Sequence, residues 1–304
     1  MESVIQLHRI SKVYRNVKAV DQVSLHIKKG EIYGFIGLNG AGKTTTIRML
    51  LGMIRPTEGA CYIHQKKVSL RHYPIWRSVG YLVETPHFYP ELTVEENLHI
   101  YRRLRLISDS GAVEKVMQQL NIMQYADAKA KHLSLGNAQR LGIAKALLPV
   151  PDVLILDEPV NGLDPAGIVE VRELLQELAY HHGVTILISS HLLSEVAKIA
   201  TKIGVLDKGK LVQEIDSSSL HRLLQQRLVI DTRDNDRAVT NLVAAQINEK
   251  GLIEVHDQQA IQSPDQIARL LVDKGIPPTR LSVEAEDLEA YFLRILRQEK
   301  EAIR

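Results

Sequence analysis

Gly37-Leu38-Asn39-Gly40-Ala41-Gly42-Lys43-Thr44 matches the pattern G-x-x-x-x-G-K-[ST]. It follows the apolar run Ile32 to Ile36 and opens a helical pattern anchored by Ile47, Leu50, Leu51 and Ile54, so the strand and the helix that such a loop needs flank it on either side. Gly37, Gly40 and Gly42 carry no Cβ. The backbone can therefore turn tightly and aim successive N–H groups at phosphate oxygens, beside the positive end of a helix. Lys43 adds a mobile positive charge for β- and γ-phosphates, and the Thr44 hydroxyl is placed to bind Mg²⁺, with Thr45 the next donor. The candidate triphosphate-binding residues of this loop are thus Gly37, Leu38, Asn39, Gly40, Ala41, Gly42, Lys43, Thr44 and Thr45.

A second buried run, Val153 to Leu156, ends in Asp157-Glu158-Pro159. Two carboxylates at the exit of a buried strand lie where a β–γ phosphate and its metal belong. Asp157 is positioned to hold Mg²⁺, directly or through water, and Glu158 to polarise the attacking water as general base. Pro159 stops the strand. An acidic pair after a strand is by itself commonly a solvated loop; the phosphate loop in the same chain reverses that expectation. Thr185 to Ile188 ends likewise in Ser189-Ser190-His191, and an imidazole at that strand end can hydrogen-bond a γ-phosphate. Lys43, Glu158 and His191 form the candidate catalytic set, whereas His181 and His182 read as surface residues at a helix end.

Composition bounds what surrounds these motifs. The 304 residues are 45% hydrophobic and 24% charged, too apolar for a disordered chain and long enough for one large and one smaller domain. A net charge of +2 supplies no global basic field, so nucleic acid is not an expected partner. Cys61 is the only cysteine and reads as a small buried hydrophobe in a reducing compartment. The stretch Met1 to Arg9 does not resemble a secretory signal. No window reaches the roughly 18 uncharged apolar residues of a spanning helix; a membrane role would need another chain to cross.

Apolar runs alternate with helical patterns from about Ile5 to Leu211, the rhythm of an α/β fold with a mixed or parallel sheet. Glu31 to Ile36, Val153 to Leu156, Val184 to Ile188 and Ile203 to Leu206 read as buried strands. Between Glu91 and Leu148 the period changes to 3.6, giving a helical insert at about residues 86–150. Ser217-Ser218-Ser219 marks a boundary, so that residues 1–218 form one domain and 219–304 an accessory α+β domain. In the tail, strands at Leu228 to Asp231, Leu252 to His256 and Arg280 to Val283 alternate with helices at Arg237 to Ile247, Asp265 to Asp273 and Asp287 to Arg297. That order suggests a ferredoxin-like module.

Tyr14, the phosphate loop, Ser134-Leu-Gly-Asn-Ala-Gln139, Leu156-Asp-Glu-Pro159, Asn161-Gly-Leu-Asp-Pro165 and His191 together resemble, in order and spacing, the nucleotide-binding domains of ATP-binding-cassette (ABC) proteins. The resemblance covers roughly the first 220 residues and implies a P-loop fold with a parallel-sheet core, an antiparallel β part and a helical subdomain. It implies that Tyr14 stacks on adenine, against a competing reading as a core tyrosine. It also implies that Ser134, Leu135, Gly136 and Asn137 reach the γ-phosphate held by an opposite subunit, and that Asp164 crosses the same interface. Two ATP molecules would then join a head-to-tail homodimer, with ATP and Mg²⁺ as cofactors and a separate transmembrane permease as partner, at the cytoplasmic side of the membrane.

Leu135 and Asn137 depart from the glycine and glutamine usual in the signature. Glu84, after Val79-Gly-Tyr-Leu-Val83, stands where the family usually has glutamine, and a carboxylate there is a candidate third oxygen for the metal. The combination, with Tyr291-Phe-Leu293 near the end of the tail, resembles the lantibiotic-immunity and bacitracin-resistance exporter ATPases. Thr85 to Leu106 is expected to form a groove for a helix of the membrane partner, with Phe88, Tyr89, Leu92 and Leu98 as its apolar floor; Arg102, Arg103 and Arg105 read as a solvated helix face. Other readings remain open at this point: an exporter of another drug, lipid or ion, or a soluble ABC ATPase acting on nucleic acid or ribosomes.

Overall fold

In the computed structural model, which describes residues 3–69 and 73–302, the chain begins with two long strands, β1 (Ser3–Tyr14) and β2 (Val17–Lys28), and then enters β3 (Ile32–Ile36), whose five residues are all buried. The phosphate loop leads into α1 (Lys43–Leu50). Next come β4 (Glu58–Ile63), β5 (Lys66–Lys67), β6 (Val79–Leu82) and three helices, α2 (Val94–Leu104), α3 (Ala112–Gln119) and α4 (Leu135–Leu147). The unit closes with β7 (Val153–Asp157), α5 (Pro165–His182), β8 (Thr185–Ser190), α6 (Leu193–Ala197), β9 (Lys202–Asp207) and β10 (Lys210–Asp216). Residues 1 and 2, part of the stretch read against a secretory signal, lie outside the described residues.

Two sheets result. One is antiparallel, in the order β2-β1-β4-β5; the other has the order β10-β9-β3-β8-β7-β6, parallel from β9 to β6. Because β3, β7 and β8 are neighbours and parallel, their carboxyl ends, which carry the phosphate loop, Asp157 and His191, meet at one edge. Both faces of these strands are covered, which is why they read as unbroken apolar runs rather than as alternations. Phe35, Ile155 and Leu187 share one core with Ile47, Leu50 and the inner face of the antiparallel sheet.

Contacts divide the chain into two compact units, Met1–Ser218 and Ser219–Arg304. After α7 (Ser217–Leu223) the second unit holds β11 (Gln226–Thr232), α8 (Asn235–Val239), β12 (Ala245–Ile247), β13 (Ile253–Val255), α9 (Gln258–Gln262), α10 (Pro264–Asp273), β14 (Pro278–Ala285) and α11 (Leu288–Ala302). Its sheet, ordered β12-β13-β11-β14, is antiparallel throughout. That is the ferredoxin-like arrangement. Leu228, Ile230, Ile253 and Val255 pack against Ile261, Leu271 and Ile276 to form its core.

One element differs from the expected order. The helix expected over Arg237 to Ile247 stops at Val239, and Ala245–Ile247 is a strand paired with β13. The physical reason is local: Thr240 Oγ1 and Asn241 Nδ2 donate to the Arg237 carbonyl at 2.8 and 2.9 Å, taking the acceptor that a continuing helix would use. Arg102 and Arg105 are not a solvated face either. Arg102 Nη1 donates to the Ile107 carbonyl at 3.2 Å and Arg105 Nη2 to the Val79 carbonyl at 2.6 Å.

Candidate functional site

Steric crowding dictates the glycines of the loop. A Cβ on Gly37 would stand 2.6 Å from the Leu206 carbonyl oxygen, and one on Gly42, at φ +104°, 2.6 Å from that of Ala19. Gly40 meets no obstacle but sits at φ +81°. Helix α1 begins from Gly42 without a side-chain cap, so its first N–H groups face the loop and suit an anion. Ala41 is buried, Leu38 and Asn39 are exposed, and Thr45 is half-buried on the first turn.

The buried Lys43 turns its Nζ into the loop, 2.6 Å from the Gly37 carbonyl oxygen and 3.6 Å from Glu158 Oε1. An anion entering the loop offers this cation a better partner than a peptide carbonyl. Thr44 Oγ1 donates to Asp157 Oδ2 at 2.7 Å, and Ser189 Oγ donates to the other carboxylate oxygen. Asp157 is 1% exposed. A hydroxyl and a fixed carboxylate side by side are hard oxygen donors, a set that fits Mg²⁺ with the remaining ligands drawn from phosphate and water.

Glu158 adopts φ +51°, a left-handed backbone rare outside glycine. Its N–H donates to the Ser189 carbonyl at 3.0 Å, which turns the side chain out of the strand. The carboxylate then spans Lys43 on one oxygen and His191 Nδ1 on the other, the latter at 2.8 Å. Lys43, Thr44, Asp157, Glu158 and His191 are thereby brought into one cluster, drawn from three adjacent strand ends.

Glu84 stands apart from that cluster. At φ +54°, its carboxylate pairs with Arg48 of α1 at 2.8 Å, so in this state a cation holds it rather than the Thr44–Asp157 pair. The signature residues turn toward another segment. Ser134 caps α4 through Asn137 N at 3.3 Å; Leu135 is exposed and lies against Gly162, and a Cβ on Gly136 would stand 2.9 Å from the Gly162 carbonyl oxygen. Asp164 caps α5, accepting from Gly167 N at 3.1 Å. Tyr14, 43% exposed, ends β1 opposite Val17, on the hairpin whose Ala19 crowds Gly42. Lys12 Nζ lies 5.2 Å from the centre of its ring.

Three participants were not singled out from the sequence. Ser189 follows from the same strand-end logic as His191. Gln139, buried inside the signature stretch, donates to the Glu158 carbonyl at 3.0 Å. Arg48, four residues after Thr44, carries no motif signal.

Between β6 and the helical insert lie two adjoining hollows of about 290 and 300 Å³. Phe88 and Tyr89 line the first with Ile100, Tyr101 and Leu104. Leu98, expected on the floor, is instead fully buried, and Leu92 lines neither hollow. Lys145 Nζ donates to the His87 carbonyl and lies 5.2 Å from the centre of the Tyr101 ring; burial holds its pKa below the ordinary lysine value.

The family model described as ABC transporter matches residues 20–161. The bacitracin transport ATP-binding protein BcrA of Bacillus licheniformis is 37% identical over 302 residues, 97% of this chain and 98% of that protein. The lantibiotic transport ATP-binding protein SrtF of Streptococcus pyogenes is 34% identical over 233 residues, 76% of this chain and 100% of that one. Among solved structures, an ATP-binding subunit of an ABC transporter superposes with a TM-score of 0.66 at 28% identity, over 72% of this chain and 92% of its own. A dimeric bacterial ABC transporter cassette does so with a TM-score of 0.64 at 27% identity, over 70% and 98%.

Proposed function

The chain belongs to the ATP-binding subunits of ABC transporters, and from that premise we propose that it powers an exporter conferring resistance to bacitracin-type peptide antibiotics. The observation that carries the narrower part is the extent of the likeness. The bacitracin ATPase matches over 97% of this chain, accessory module included, whereas the lantibiotic ATPase is accounted for in full by 233 aligned residues. No helix among the described residues is long and apolar enough to cross a membrane. The pore and the peptide-binding surface then belong to a separate permease, which docks in the hollows around Tyr101 and holds this subunit at the cytoplasmic face.

The loop residues Gly37 to Thr45 bind the triphosphate, and Lys43 leaves the Gly37 carbonyl to meet it. Thr44 and Asp157 hold Mg²⁺, which supplies charge that stabilises the transferring phosphoryl group. Glu158 accepts a proton from the attacking water, and its bond to His191 Nδ1 fixes the orientation of the carboxylate. His191 presents its other ring nitrogen toward the γ-phosphate. Tyr14 covers the adenine. Ser134, Leu135, Gly136, Asn137 and Asp164 complete the site of a second copy, so that ATP joins two subunits and hydrolysis releases them.

The test pairs chemistry with biology. Glu158→Gln should lower ATP turnover by about 10²–10⁴ fold, leave nucleotide binding intact, trap an ATP-bound dimer and abolish bacitracin resistance in cells that also make the permease. Full turnover in this variant would remove Glu158 from the base role. Unchanged bacitracin sensitivity on deleting the wild-type gene would remove the peptide.

A further inference from the structure

Strand β14 (Pro278–Ala285) forms one edge of the accessory sheet: it pairs with β11, and no strand flanks its other side among the described residues. A row of free N–H and C=O groups along eight residues is a template for another chain, and proteins normally blunt such an edge with a central proline, lysines, a bulge or a covering element. Here the proline is at the first position and the sequence Pro278-Thr-Arg-Leu-Ser-Val-Glu-Ala285 has no lysine. The register with β11 shifts once, at Thr279 beside that proline, and from Arg280 to Ala285, the stretch left to pair, it runs without a shift. Thr279, Arg280, Val283 and Ala285 are exposed, Val283 at 42%.

We propose that β14 pairs with the same strand of a second copy of this chain, about a two-fold axis at Ser282. The two four-stranded sheets then become one antiparallel sheet. Directly opposed residues of an antiparallel pair share a face, so the two numbers of every facing pair must sum to a constant even value. Centring on Ser282 sets Arg280 opposite the partner's Glu284 and Glu284 opposite the partner's Arg280. On the other face Leu281 meets the partner's Val283, covering the exposed valine. Oppositely charged and apolar facing pairs both stabilise a ladder. The neighbouring registers lose this match. Centring on Leu281 sets Glu284 opposite Pro278, and centring on Val283 calls on Glu286, which lies beyond the strand and is already bonded to Arg294. Within one chain Arg280 and Glu284 bond each other at 2.8 Å on the same face as Ser282. The charges are therefore already placed for exchange with a twin. This contact needs no nucleotide and stands independently of the ATP site.

The experiment uses the full chain in buffer with EDTA and without nucleotide, followed by analytical ultracentrifugation. The wild-type chain is expected to dimerise. Arg280→Glu and Glu284→Arg, each alone, put like charges opposite one another and should weaken the dimer at least about tenfold. An equimolar mixture of the two variants should regain it, because mixing restores opposite charges at both facing positions; a loss caused by the broken pair within each chain would not be repaired. Ser282→Cys places two thiols on the axis and should cross-link under mild oxidation, with the buried Cys61 silent. A wild-type chain that is monomeric without nucleotide, a mixture that stays monomeric, or a Ser282→Cys chain that fails to cross-link overturns the proposal. Retained ATPase activity in the charge variants separates this outcome from a failure of the cassette itself.

Discussion

Gln139 Nε2 donates to the backbone carbonyl of Glu158 across 3.0 Å, tying helix α4 to the turn that aims the candidate base. That turn is strained: a left-handed glutamate costs about 1–3 kcal/mol and persists only where its surroundings hold it. Gln139, 3% exposed, is one such restraint. Gln139→Leu keeps the volume and removes the donor, leaving a carbonyl without its partner at a cost of about 1–3 kcal/mol. We expect kcat to fall while KM for ATP stays within about twofold, the pattern of a lost transition-state contact. Steady-state kinetics beside a thermal melt separates this from simple unfolding; unchanged kcat would make Gln139 a packing residue.

Leu135 and Gly162 form a matched pair. A Cβ on Gly162 would come 2.4 Å from Leu135 Cγ, and the backbone there is at φ +77°. The leucine, one of the signature's departures, thus sits over a turn that only glycine fits. Gly162→Ala should destabilise the cassette by about 1–3 kcal/mol, from strain and overpacking together. Adding Leu135→Ala should recover the overpacking share but not the strain. A double-mutant cycle by urea unfolding reads the difference; strict additivity would mean that the two do not act on each other.

The centre of this fold was legible because its strands are covered on both faces: Ile32–Ile36, Val153–Asp157 and Thr185–Ser190 carry unbroken apolar runs, and each ends in chemistry. The cluster of Lys43, Thr44, Asp157, Glu158 and His191 followed from parallel neighbours ending at one edge. What escaped depends on contacts distant in sequence or on competition within one turn. Arg48 meets Glu84 only because α1 passes the end of β6. Leu98 matches a groove-facing pattern, yet its helix turns that side into the core. The break after Val239 comes from Thr240 and Asn241 capturing one carbonyl, in a stretch whose apolar spacing still reads as helix.

The Arg48–Glu84 pair offers a test of whether Glu84 reaches the metal. Both side chains are well exposed, at 40% and 50%, so the pair contributes little to stability, under about 1 kcal/mol. If Glu84 leaves Arg48 for the metal when ATP binds, the cation competes with Mg²⁺ for one carboxylate. Arg48→Met should then lower the Mg²⁺ concentration for half-maximal hydrolysis, and Glu84→Gln should raise it, with melting temperatures nearly unchanged. Titrations of ATPase rate against Mg²⁺ that superpose for all three proteins would exclude Glu84 as a ligand.

Cys61 reports on folding. It is 3% exposed, and burial pushes its thiol up to about 12, against about 8.5 for an ordinary cysteine. The folded state keeps its proton where the unfolded state has lost it. The sign follows: the stabilisation is whole below about pH 8.5 and is lost as pH rises from there toward 12. Between pH 9 and 11 the wild-type chain should lose up to about 1.4 kcal/mol per pH unit more than Cys61→Ala does, measured by urea unfolding. Thiolate is also the species that alkylates, so at pH 8 iodoacetamide should leave the native chain unmodified and label it once in denaturant. Rapid labelling of the native chain would mean that the β1–β4 ladder holding Cys61 opposite Leu7 opens far more readily than its burial allows.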